Sequence, residues 1–133
     1  MARRLILDTG ALIAFERGRA GPQVVADEDD LAIAAVTVAE FRVGIELAAT
    51  ADRAERRRRV LAAITATTTV LDYTARTAAE HARLLAHVRR TGGPRGAHDL
   101  IIAAQAAEHG RVVVTPDRRA RFAELPGVHA VTL

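Results

Sequence analysis

The sequence contains no lysine and no cysteine, and only 3% of its 133 residues are aromatic. Without cysteine there are no disulfides, thiolate nucleophiles or zinc–thiolate sites, which suits a reducing cytosol. Without lysine, all 19 basic side chains counted beside the histidines are arginine. Arginine's planar fork suits phosphate and hence nucleic acid; genomic base composition accounts for the bias equally well. With so few aromatics in a chain that is 50% hydrophobic, the core must be built from Ala, Val, Leu and Ile, which favours close packing of helices on a sheet. No apolar run is long enough to span a bilayer. After Arg3 and Arg4 only Leu5, Ile6 and Leu7 precede Asp8, too short for a signal peptide. A cytoplasmic protein of one domain, with no membrane association, is expected.

Short apolar runs alternate with helical patterns. Leu5–Leu7 reads as a strand, and the following ALIAFE as a helix broken by Gly18, Gly21 and Pro22. A short helix is expected from Val24 to Glu28, and a buried strand from Leu31 to Ala35. Thr37 is a suitable N-cap for a helix with Val38, Phe41, Ile45 and Ala48 on one face. Asp52 starts another helix through Ile64, with Arg56 to Arg59 on a solvated turn. TATTTVLD is β-branched and reads as a third strand, followed from Asp72 by a long helix with Ala75, Ala78, Ala82 and Leu85 inward. After the TGGPRG loop comes a helix over Ala97 to His109, stopped by Gly110, then the strand VVVT. A short helix around Arg119 to Glu124 and a strand over Val128 to Thr132 complete the pattern. This is an α/β fold: a mostly parallel β-sheet flanked by helices on both faces.

Asp8, Glu40, Asp99 and Asp117 each fall where an apolar run ends or where the next helix begins. In open α/β sheets ligands bind outside the carboxyl ends of the strands, so four such junctions can meet in space. Each acid also has a purely structural use. Asp8 can cap a helix, Glu40 can close a capping box with Thr37, Asp99 gains from the positive end of its helix, and Asp117 suits a turn. Together, however, four carboxylates at one sheet edge repel one another unless a cation or shared protons neutralise them. Carboxylate ligation selects hard ions, Mg2+ or Mn2+ rather than zinc. Such a site polarises a phosphoryl oxygen, activates water and stabilises the departing oxygen, which is phosphodiester hydrolysis. Two other readings fall away. Asp8-Thr9-Gly10 matches the signature of dimeric aspartic proteases, but those are all-β. Receiver domains and haloacid-dehalogenase-like phosphatases, which also use a strand-end aspartate, need a lysine.

The residues resemble the PIN-domain ribonucleases, and among them the VapC-like toxins of type II toxin–antitoxin pairs. LILDTGALIAFE, TVAEFRVGIELA, GAHDLIIAAQAAEHG and VVVTPDRRARFAELPGV look like the family's four blocks in order. The resemblance spans nearly the whole of residues 1–133, as one PIN domain. It implies that Asp8, Glu40 and Asp99 are catalytic, metal-binding acids, with Asp117 as a more variable fourth. Thr9 and Thr115 match hydroxyl positions that support the acids, and His98 an orienting position. Arg95, in the loop before Asp99, and Arg42 are the candidates for RNA-phosphate contact; for the Arg56 to Arg59 run the alternative to a solvated face is contact with RNA or an acidic antitoxin segment. A Mg2+-dependent endoribonuclease is implied, forming a homodimer and inhibited by a cognate VapB-like antitoxin. The rivals are a nuclease-inactive PIN-like module that binds RNA or a partner, and a metal-dependent phosphatase or DNA nuclease on the same fold.

Overall fold

The computed structural model describes residues 2–18 and 25–133. Strand β1 (Arg4–Leu7) runs into α1 (Thr9–Glu16), and β2 (Asp30–Ala34) into α2 (Ala35–Glu46) and α3 (Ala51–Thr67). Then come β3 (Thr69–Leu71), α4 (Ala75–Thr91), α5 (Ala97–His109) and β4 (Val112–Thr115). Two 3-10 turns, Arg118–Ala120 and Phe122–Glu124, lead to β5 (His129–Thr132). All pairings are parallel, in the order β3-β2-β1-β4-β5.

Parallel strands covered on both faces need apolar side chains on both, which is why the strands are continuous runs of Leu, Ile, Val and Ala. Leu5, Leu7, Ile33 and Val114 pack with Ala11 and Leu12 of α1. The alternate positions Ile6, Ala32, Ala34 and Val113 pack with Leu84 of α4 and Leu100, Ala103 and Ala104 of α5. Alanines at the contact let α5 lie close against the sheet, as the scarcity of aromatics requires. Because β1 has β2 on one side and β4 on the other, strand order reverses beside it. A crevice opens at the carboxyl ends of β1 and β4, the position that binds ligands in open α/β sheets.

The opposite edge of the sheet is tied by paired charges. The Arg111 guanidinium is buried and its Nη1 donates to the carbonyls of Leu5 and Asp30, each at 3.0 Å, and to the Asp30 carboxylate at 3.2 Å. Arg3 Nη2 lies 2.7 Å from Asp29 Oδ2.

Several local expectations are corrected. Ala34, not Thr37, is the N-cap of α2 and makes no side-chain cap bond. Thr37 is buried inside the helix with its hydroxyl unpartnered, so no capping box with Glu40 forms. Packing on the sheet, rather than capping, sets the start of α2. The strand expected over TATTTVLD shortens to Thr69–Leu71, because α3 continues through Thr67. Thr65 and Thr67 donate to helix carbonyls of Leu61 and Ala63, at 3.0 and 3.4 Å, so their hydroxyls are accommodated within the helix.

In α4 the buried residues are Thr77 and Leu84, whereas Ala75, Ala78 and Ala82 are exposed. A threonine can face inward because its hydroxyl donates to Glu108 Oε1 on α5 at 2.6 Å. Of the short helix expected from Val24 to Glu28, residues 25–28 form a bend and turn, closed by the Ala26 N–H on Asp29 Oδ2 at 2.8 Å. Val24 lies outside the described residues, as do Gly21 and Pro22.

Candidate active site

Asp8 leaves the end of β1 as the N-cap of α1, a junction that ends the strand and aims its carboxylate into the crevice. Its Oδ1 accepts the Ala11 N–H at 2.7 Å, and its Oδ2 accepts the Thr115 hydroxyl at the end of β4. The same Thr115 oxygen accepts the Asp117 N–H at 2.9 Å. One hydroxyl therefore binds the first acid to the turn that carries the fourth. Asp117 Oδ1 in turn accepts the Arg119 N–H at 2.8 Å, capping the first 3-10 turn. Gly10 is required by close approach: a Cβ there would lie 2.9 Å from Pro116 Cγ.

Glu40, on the second turn of α2, is held from two other elements. The Thr9 hydroxyl donates to its Oε1 at 3.0 Å, and His98 Nδ1 lies 3.2 Å from the same oxygen. Asp99 sits in the first turn of α5. Its carboxylate accepts no hydrogen bond among the described residues, and a Cβ on Gly96 would lie 3.0 Å from its Oδ2.

Electrostatics tie the acids into one group. Burial pushes the Asp8 carboxyl above the usual range, against the hydrogen bonds from Thr115 and Ala11, and the charges of Asp99 and Asp117 push it the same way. Asp99 is raised first by burial, then by Asp117 and Glu40, while His98 and Arg95 oppose the shift. Among the described residues no three His, Asp or Glu side chains form a ready-made chelate. The acids are near enough to feel one another without converging on a point.

Two expected phosphate contacts fare differently. Arg95 Nη1 donates to the carbonyls of Ala120 and Arg121 at 2.6 and 2.7 Å. Its Nη1 thus fastens the loop before Asp99 to the 3-10 segment. Arg42 is exposed on α2.

The remaining histidines, His81, His87, His109 and His129, gather no ligand set among the described residues. The run Arg56 to Arg59, expected on a solvated turn of the helix from Asp52, is exposed on α3. Arg56 and Arg57 line a cavity of about 540 Å3 that reaches Thr9 and Glu40. Their approach to the site was not foreseen, because the fold-back of α3 onto α2 that produces it has no local signature.

Residues 5–128 match the PIN domain family. The chain belongs to the PIN-domain family. This PIN domain is 37% identical over 129 residues to Ribonuclease VapC5 of Mycobacterium tuberculosis, covering 96% of the chain and 92% of that protein. Among solved structures it is similar to VapBC-5, a toxin–antitoxin system of M. tuberculosis, with a TM-score of 0.82, 30% identity and 98% of each chain covered. It is also similar to DNA-bound VapBC from Salmonella typhimurium, with a TM-score of 0.83, 26% identity, and 99% and 98% of the two chains covered. In this PIN domain, as the fold requires, the acids stand at the carboxyl edge of the sheet beside the strand-order reversal. Among the described residues no helix is long and apolar enough to cross a membrane.

Proposed function

We propose that this chain is a divalent-metal-dependent endoribonuclease, with residues 1–133 as one PIN domain, acting as the cytoplasmic toxin of a VapBC-type pair. A cognate VapB-like antitoxin restrains it, and it works as a homodimer. The observation that best supports this reading is the 37% identity to Ribonuclease VapC5 across 96% of the chain. The VapBC neighbours support the antitoxin. Val43 and Leu47, exposed and four residues apart at the end of α2, offer apolar surface for a second copy.

The donor chemistry fits Mg2+, with Mn2+ as a substitute: the four acids supply only oxygen, and Asp99 is partly buried, raised, and without a protein donor. Magnesium keeps several waters and takes one or two carboxylates directly, so acids that approach without forming a chelate meet its needs. Asp8, Glu40 and Asp99 would hold it, with Asp117 at the margin. Bound there, it supplies Lewis-acid polarisation of the phosphodiester and lowers the pKa of water.

The chain's own residues do the positioning. Thr115 and the Ala11 amide fix both oxygens of Asp8, so its carboxylate is set before substrate arrives. Thr9 and His98 fix one oxygen of Glu40 and leave the other available. Asp99, with neither oxygen engaged by protein among the described residues, is left free to meet a cation.

The test is an assay of the purified chain on RNA, single-stranded DNA and a chromogenic phosphomonoester, each with and without chelator. Cleavage of RNA alone, abolished by chelator and restored by Mg2+, is expected. Cleavage that survives the chelator, or a preference for DNA or the monoester, overturns the reading.

A further inference from the structure

The cavity that ends at Thr9 and Glu40 has walls of two kinds. Ile13, Phe41 and Val60 make it apolar inside, and Arg53, Arg56 and Arg57 of α3 make one side cationic. Its volume, about 540 Å3, lies within the range of small-molecule pockets.

The arginines of α3 are not equivalent. Arg57 Nη1 donates to the Gly44 carbonyl and so joins α3 to α2. Arg58 pairs with Glu55 at 3.5 Å. The side chains of Arg53 and Arg56 have no hydrogen bond or ion pair among the described residues, although both border the cavity. Two guanidinium groups of α3, with Arg17 also on the lining, beside an apolar wall that reaches Glu40, match a polyanion whose charged links are spaced by flat rings with apolar faces. That polymer is a single strand of nucleic acid. An acidic peptide can use the arginines and set an apolar side chain on the wall, but the regular alternation of charge and flat ring belongs to the nucleotide strand.

We propose that this cavity is a nucleotide subsite for the RNA strand next to the cleaved bond, with the base against Phe41 and the adjoining phosphate on Arg53 and Arg56. The inference rests on the ribonuclease reading and deepens it. Strand held here leads past Thr9 to Glu40, so the arginines offset the repulsion that the acids exert on the backbone. Phe41 is one of only four Phe and Tyr residues in the chain, and it lies on the cavity wall, where every base has a face to stack.

The experiment measures binding of a short labelled single-stranded RNA of mixed sequence by fluorescence anisotropy across a salt series. The full chain carries Asp99→Asn to stop cleavage. Arg53→Ala with Arg56→Ala weakens binding about tenfold at low salt and reduces the slope of log affinity against log salt by about 1.4, two phosphates at 0.7 each. Arg58→Ala with Arg59→Ala, which removes the same charge from the same helix outside the cavity, stays within about twofold of the parent. Phe41→Leu keeps an apolar side chain and loses about fivefold or more at every salt concentration.

Equal losses from the two arginine pairs overturn the subsite and leave only diffuse attraction. Unchanged RNA binding in the Arg53 and Arg56 pair, with weakened hold on a co-expressed antitoxin, assigns the cavity to a protein segment and overturns the RNA assignment. Failure of the ribonuclease reading is recognised separately: a parent chain, without Asp99→Asn, that neither cuts nor binds RNA removes both proposals.

Discussion

The two edges of this sheet carry similar residues to opposite ends. At the amino edge two acids each have a cation: Arg3 and nearby backbone N–H groups hold Asp29 below the usual carboxylate range, and Arg111 lies 3.2 Å from Asp30. At the carboxyl edge the acids face one another, so burial and mutual repulsion raise Asp8 and Asp99. Paired charge fastens strands; unpaired charge of one sign costs stability and creates affinity for a cation. The difference separates the edge that fastens the strands from the edge where the proposed site lies.

Removing charge from each edge is the sharpest way to break that contrast. Asp99→Asn is expected to lower RNA cleavage by at least about 100-fold, since even groups supporting metal ligands cost 10- to 100-fold. The same variant melts at or above the parent temperature, because it relieves repulsion. A lower melting temperature with intact cleavage would place Asp99 with the structural acids.

Arg111→Met should do the reverse. It strands the carbonyls of Leu5 and Asp30 and lowers stability by about 2 to 4 kcal/mol in urea unfolding. Cleavage per folded molecule is unchanged. A smaller expected effect is that of Thr9→Val, which frees Glu40 and lowers cleavage about tenfold with little change in melting.

The smallest effect is on pH dependence, and its sign differs between the edges. Asp29, depressed in the folded state, contributes stability that is present above the unfolded aspartate value near 3.9 and is lost as pH falls below it. Asp8 and Asp99, raised in the folded state, act in the window between about 3.9 and their folded values, where stability falls as pH rises. Melting of the metal-free chain should therefore peak in mild acid. Asp29→Asn should flatten the acid limb, and Asp99→Asn the limb above it; a single change flattening both would show that the edges are coupled.

The sequence revealed the parts of this arrangement that are local. A charge closing an apolar run marks a strand end, so Asp8 and the strand before it are visible in LILD, and Gly110 marks the end of α5 by its left-handed conformation, φ 61°. What could not be read depends on distant partners. Thr77 faces inward because Glu108 lies across from it. Glu40 looked like half of a capping box, yet its partners are Thr9 and His98, 31 and 58 positions away in the chain. Arg95 had the sequence position of a phosphate contact, and its tie through Nη1 to two carbonyls of a later turn could not be read from it. Gln105 is buried among the apolar residues of α5 and donates to the carbonyls of Leu71 and Asp72 at 3.0 and 3.1 Å, fixing the end of β3.

Gly10 contributes no charge, donor or ligand to the crevice, and the missing methyl group is its whole role. α1 and the turn after β4 rest against each other through that gap, with Pro116 on the far side. The separation of the first and last acids is therefore set by close steric contact at Gly10 together with the Thr115 hydroxyl that joins them. A spacer of this kind carries no charge of its own, so it sets distance without adding to the field of the carboxylates.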